Sequence, residues 1–493
     1  MPPLTAVIAL CIPFVVLWSV RARRWAANLN GPPSQSFLLG NLLQLVAPET
    51  GRDWLLNASN KYGGVIKIKG LLNRPSLLVS DPLALHHILV KEPTVFEEWQ
   101  AFTITNSLLF GDGLVATIGE QHRRQRKMLN PLFSLQHLRS LAPSFLSIAK
   151  ELEQLLALRV GDDPQEIDIT GASVSVLMPA APFLPLLVRL GPARLRRRVV
   201  EMIPFRLIQK LKNIVDILAA QMEVIFREKQ SLLKGGQSDK HDIMAVLLKA
   251  NQNSSKSECM SDKELLGQMA TLVFAATDTT SGAIARLLHL LSQHPEVQAR
   301  LFEEMTSDER ELNYETLASL PYLDAVIRET LRVYPTVPMM FRQTTADASL
   351  PLLHPIRGVD GHDITSVHVP KGTDVFINIL GSNHLRLTWG QDASEWNPER
   401  WLAPLPETVT KNRSIAGVYS HMMTFLAGKR ACIGFNFAQI EMKVVIYTLL
   451  RSFEFSLVPG KEIGWNMGLL MTPVLRGSDS IHSHMPLLVR KRK

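Results

Sequence analysis

The chain opens on an apolar run, Leu4 to Val20, that carries no charge and is followed at once by Arg21, Arg23 and Arg24. The run falls slightly short of the about 20 residues that a helix needs to span a bilayer. A cleaved signal peptide carries its basic segment ahead of the apolar run, and here the charge follows it. The pattern predicts a single-pass anchor over residues 1–24, with the arginines holding the rest of the chain in the cytosol. Gly31, Pro32 and Pro33 cannot continue a helix and predict a stiff connector over residues 25–45, leading into a globule over residues 46–493.

Within the globule, helical periodicity dominates. The stretch "FRLIQKLKNIVDILAAQMEVIF" places Leu207, Leu211, Ile214, Leu218 and Ile225 along one face. A polar loop, Asn251 to Lys263, leads into a long, mostly apolar helix from Leu265 to His294. Short extended segments are expected at "GVIKIKG", "PSLLVS" and "TDVFINI". Many helices with a little sheet predict a mainly α, α+β fold.

Composition narrows the partners. The net charge of +8 and pI near 9.3 raise the question of nucleic acid. The lysines and arginines are scattered, however, without the basic stripe interleaved with aromatics that nucleic acid requires. An anionic membrane surface or an acidic protein partner accounts for the charge. Cys11, Cys259 and Cys432 are odd in number and far apart, so neither a disulfide framework nor a paired-cysteine zinc site is indicated. A reducing compartment fits.

The chemistry concentrates in "FLAGKRACIG", Phe425 to Gly434. Gly428 and Gly434 permit tight turns and the close approach of a flat ligand. Arg430 stands two residues before Cys432, placed to meet an anion beside the thiol. From Asn436 the chain reads as a helix, whose N-terminal amides favour a thiolate. A thiolate with an adjacent cation and room for a planar ligand suggests haem ligation. An isolated buried cysteine would more often be inert, but the full spacing F-x-x-G-x-R-x-C-x-G resembles the haem-binding loop of the cytochromes P-450.

Further motifs, in order, are similar to that family. "ETLR" puts Glu329 and Arg332 one turn apart on a helix, and "WNPERW" supplies Arg400. Alone, such a pair is usually a solvated salt bridge; the resemblance implies a buried structural triad supporting the thiolate loop. "FAATDTTS" puts Asp278 and Thr279 in an apolar helix, where threonine commonly bonds back to a carbonyl one turn earlier. The resemblance implies that Thr279 serves dioxygen binding and Asp278 proton delivery, with Ala276 in place of a frequent glycine. In "GEQHRRQRKMLNPLF", His122 replaces the usual tryptophan and Arg126 lies four residues on, so either could donate to a haem carboxylate. A solvated basic helix is the plain alternative. Arg342, after "YPTVPMMF", matches a second propionate-binding position.

The resemblance therefore implies the P-450 fold, many helices and small sheets around a buried haem b, in a membrane-bound, fungal-like monooxygenase of the endoplasmic reticulum. Cys432 would be the axial iron ligand, with Phe425, Arg430, Gly434, His122, Arg126 and Arg342 around the cofactor. Electrons would come from NADPH through a cytochrome P-450 reductase, with Lys429 on the docking surface and cytochrome b5 as a second donor. The substrate is an apolar small molecule, with terpenoids, sterols, fatty acids and aromatic hydrocarbons all open and terpenoid or other secondary metabolism expected. Xenobiotic oxidation is the alternative. One departure stands out: family members usually carry a further core helix where this chain passes quickly through "ASVSVLMPAAPFLP", near residues 170–185. A reductase-independent isomerase or dehydratase, or a non-catalytic haem-protein remnant, are the rival expectations.

Overall fold

The computed structural model describes residues 24–161, 163–169, 188, 192–235, 242–307, 312–410, 417–478 and 483–492. The expected anchor at Leu4–Val20 and the shortened stretch at 170–185 lie outside the described residues. Among the described residues no helix is long and apolar enough to cross a membrane. Residues of the expected connector lie against the globule: Ala26 and Leu29 are buried with one apolar cluster, Leu45 with another.

The helices that frame the site are α1 (Gly119–Leu129), α2 (Leu135–Arg159), α3 (Arg206–Lys234), α4 (Asp262–Gln293), α5 (Pro321–Val333) and α6 (Phe435–Ser452). Local sequence sets their ends. At the start of α4, the Ser261 side chain accepts from the Glu264 amide while Glu264 accepts from the Ser261 amide, a reciprocal cap. Pro295, which cannot extend a helix, follows its end at His294. Pro321 opens α5 at the position where its missing N–H costs nothing.

The strands form one five-stranded sheet and smaller units. β1 (Val65–Lys69), β2 (Pro75–Val79), β3 (Phe96–Glu98), β5 (Met339–Thr344) and β8 (Asp374–Asn378) lie in the order β1-β2-β8-β5-β3. The pairs are antiparallel except for parallel β2–β8. The three segments expected to be extended are β1, β2 and β8 of this sheet. β4 (Gln165–Asp168), β9 (Phe453–Leu457) and β12 (Pro486–Lys491) make a three-stranded sheet, and β6–β7 (Ala348–Arg357, Asp363–Val369) and β10–β11 (Ile463–Asn466, Thr472–Leu475) are hairpins.

The main core joins α2, α4, α5 and α6, with Leu287, Leu288, Leu291, Val326, Ile327 and Ile446 wholly buried. This clamps α6, and the loop ahead of it, against the middle of α4. The helix read from residue 205 onward is α3, but its buried face is displaced. Met222 and Phe226 are its buried apolar residues, Leu218 and Ile225 pack on them, and Ile214 is 43% exposed. The core reaches α3 from Leu218 onward, so Ile214 points past it. The side chain of Leu207 lies outside the described residues.

Candidate active site

The loop Phe425–Gly434 is shaped by its backbone. Gly428 has φ +65°, and a Cβ there would lie 2.0 Å from the Leu89 carbonyl oxygen. Leu426 is also left-handed, at φ +57°, a strained value for a branched side chain. The Cys432 amide donates to the Phe425 carbonyl at 2.9 Å, closing the loop. Gly434 differs from Gly428: its φ is −93° and a Cβ would meet nothing closer than Phe133 at 3.7 Å. Among the described residues no protein atom demands glycine at 434.

Cys432 is exposed by surface area yet lies deep in the molecule, because its sulfur faces a cavity rather than bulk solvent. The cavity is lined by Cys432, Phe425 and Arg430 from the loop, Thr279 and Thr280 from α4, and Met340 from β5. It encloses about 690 Å³, part of it open to solvent. Burial pushes the Cys432 thiol up, against the Gly434 amide hydrogen bond and the Arg126 charge, which both favour the thiolate. The helix-end effect expected from sequence is present but outweighed by burial. Coordination to a metal cation would reverse this balance.

Cations collect on one side of the loop. Arg430 donates to the Thr117 carbonyl at 2.9 Å and to Glu97 at 3.0 Å. Arg342, 2% exposed, donates to Glu98 at 2.9 Å, and its Nη2 is buried with no partner. Arg126 lies near both Cys432 and Arg430, and burial lowers its pKa. His122 is buried and driven down to about 3 by burial, then by Arg430 and Arg126. Its ring is therefore neutral and can donate through one nitrogen only. Sequence reasoning missed Glu97 and Glu98. Glu98 stands opposite Arg342 in the β3–β5 register, a long-range pairing that no local motif announces.

The residues fit a planar dianionic cofactor. A soft sulfur ligand faces the cavity, three arginines have two carboxylates close by, and one guanidinium nitrogen is orphaned in the interior. Three guanidinium groups against two carboxylates leave one net positive charge, together with the orphaned nitrogen, to meet a further carboxylate.

Beneath the loop, the triad is fully formed. Arg332 grips Glu329 with two bonds of 2.8 and 2.7 Å, and both side chains are fully buried. Arg400 donates to the same carboxylate at 3.3 Å, and the Trp401 indole adds a bond of 2.9 Å. Arg332 also donates to the carbonyls of Asn383, Ala393 and Glu395. Asn383 in turn accepts from the Met423 amide and donates to Thr424, adjacent to Phe425. A continuous chain of bonds thus runs from the triad to the thiolate loop. On α4, Thr279 bonds back to the Ala275 carbonyl at 2.6 Å, as expected. Asp278 is half-buried with its pKa raised by burial, but it does not line the cavity.

A helical domain with small sheets, holding a cysteine loop over a central helix and a buried Glu–Arg–Arg triad below it, defines the architecture of haem-thiolate enzymes. The Cytochrome P450 profile matches residues 30–173 and 192–475. Cytochrome P450 monooxygenase 91 of Postia placenta is 41% identical over 94% of both chains. A ganoderic acid synthetase of Ganoderma lucidum is 37% identical, covering 94% of this chain and 93% of its own. A cytochrome P450 crystal structure superposes with a TM-score of 0.69 at 22% identity, covering 94% of this chain and 99% of that one. The chain belongs to the cytochrome P-450 family of monooxygenases and is an oxidoreductase. Membership implies a haem cofactor, a redox partner and an apolar substrate.

Proposed function

We propose that the chain is a haem-thiolate monooxygenase that inserts one oxygen atom from O2 into an apolar small molecule of secondary metabolism, a terpenoid in the first instance. The observation that carries this reading is Cys432 facing a cavity across from Thr279, with the loop tied to a buried triad. Cys432 would bind the iron of haem b through its sulfur. Arg126, Arg342, Arg430 and His122 would hold the cofactor's carboxylates, with Phe425 and Gly434 beside it. When bound, the haem activates dioxygen and a thiolate ligand promotes O–O cleavage. Thr279 holds a proton at its hydroxyl inside the cavity, Asp278, which lies outside it on the same helix, supplies protons, and Val337, Met340 and Ile379 give the cavity an apolar wall. The terpenoid assignment rests on the fungal relatives, one of which is named a ganoderic acid synthetase.

Electrons come from NADPH through a cytochrome P-450 reductase that docks where Lys429 is exposed beside the loop, with cytochrome b5 as a second donor. The apolar run at Leu4–Val20 and its arginines anchor the chain in the endoplasmic reticulum membrane, globule in the cytosol. The test is the reduced, carbon-monoxide difference spectrum of the chain in microsomes. The red-shifted band of a thiolate-ligated haem is expected, and its loss in Cys432→Ala. Absence of haem in the parent chain would favour a non-catalytic remnant, a reading supported by the unmatched residues 174–191 between the two family-matched stretches.

A further inference from the structure

Two acids occupy the cations that a dianionic cofactor needs. Glu97 and Glu98 end β3, where Glu98 stands in register with Arg342 of β5. Glu98, 8% exposed, accepts from Arg342 at 2.9 Å and lies 3.9 Å from Arg430. Glu97 accepts from Arg430 at 3.0 Å and from the Glu98 amide at 3.0 Å. Beyond Arg430 are Arg126 and the neutral ring of His122, both on α1. Three guanidinium groups and two carboxylates leave one positive charge, whereas haem brings two negative ones. With both haem carboxylates seated, one negative charge is in excess inside the molecule.

We propose that Glu98 takes up a proton when the haem carboxylates enter and keeps it while they stay. This rests on haem being the cofactor, as in the reading above. The proton comes from the solvent buffer and forms an O–H bond on one Glu98 oxygen; no electron moves. The arginines turn part of their charge to the incoming carboxylates, and an uncompensated carboxylate left in the interior is costly. Once protonated, Glu98 is a donor as well as an acceptor, so it can hold an anion that its ionised form repels. Its neighbours suit the role less well. Burial already pushes the Glu98 carboxyl up, against the pull of Arg342 and Arg430, and Glu97 adds to the push. Glu97 is only partly buried and sits closer to Arg430. Burial drives His122 down to about 3, far from charging near neutral pH.

The test uses the full-length holoenzyme with Glu98→Gln, whose amide is neutral at every pH, and with Glu97→Gln. Near neutral pH the parent should show an infrared band of a protonated carboxyl that Glu98→Gln lacks and Glu97→Gln keeps. Linkage sets the sign for haem retention: an acid whose pKa is higher in the filled site favours the cofactor at low pH and loses that preference as pH rises. Haem transfer from the parent to excess apomyoglobin should therefore quicken several-fold from about pH 6 to about pH 9. Transfer from Glu98→Gln should stay nearly flat and be slower than the parent's at the alkaline end. In Glu97→Gln the rise should move to lower pH, since a negative neighbour of Glu98 is gone. A purely structural Glu98 predicts otherwise: loss of its Arg342 pair would speed haem transfer from Glu98→Gln at every pH. That result, a carboxyl band that survives in Glu98→Gln, or a parent whose transfer ignores pH would each overturn the proposal while leaving the haem reading intact. A chain that takes up no haem would overturn both.

Discussion

Two glycines of one loop show how differently the same residue type is used. At Gly428 a left-handed backbone and the Leu89 carbonyl leave no room for a Cβ. Gly428→Ala should therefore lose more than about 3 kcal/mol, combining backbone strain with a backbone clash that no side-chain shift relieves. Gly434→Ala meets only ordinary van der Waals contact and should leave the urea midpoint nearly unchanged while lowering haem content. Equal losses of stability in the two variants would refute this division. Both glycines were legible from sequence as a pair, because the spacing around Cys432 is local. Their separate reasons were not, since Leu89 comes from a distant turn. The same limit hid Glu97 and Glu98: two adjacent acids say nothing of a strand that pairs Glu98 with Arg342.

At the scale of elements, α5 and the segment ending in Trp401 act as one support for the loop. The sequence named Glu329, Arg332 and Arg400, and the structure adds why one carboxylate can be wholly buried: it accepts from two arginines, the Trp401 indole and the Asn397 amide. A buried ion pair owes its stability to such full satisfaction, and removing one partner strands the other. Glu329→Gln should cost about 3–5 kcal/mol and prevent haem retention. Arg332→Lys should fail almost as badly, because lysine cannot supply the paired bonds to Glu329 together with those to Asn383, Ala393 and Glu395. Limited proteolysis around Met423–Phe425 measures this. A loop in Glu329→Gln as protected as the parent's would break the proposed link through Asn383. The helices α4 and α6 were legible in type and nearly in length, since their apolar periodicity is long. The face of α3 was not, because burial there is decided by what lies beside it.

Across the whole molecule, buried histidines set an acid limit on stability. His289 accepts a hydrogen bond from the Trp465 indole at its Nδ1, 3.0 Å away, which fixes the ring as neutral. Arg286 stacks 3.4 Å from the same indole, so a proton on His289 would meet a donor and a cation at once. Burial first, and Arg286 second, hold His289 down to about 4. Burial, with Arg332 behind it, holds His384 down to about 3. In the unfolded chain both titrate near their ordinary value of about 6.5. The sign follows: above that pH neither state binds the proton and nothing is lost. Below it the unfolded chain takes up protons that the fold refuses. Stability should fall from pH 6.5 toward pH 4 by about 1.4 kcal/mol per pH unit for each histidine. His289→Gln, whose amide oxygen can still accept from Trp465, should remove one proton from that slope. The measurement is urea unfolding at several pH values, comparing variant with parent so that carboxylate titration cancels. Identical slopes would show that His289 is protonated in the fold, with the Trp465 bond broken.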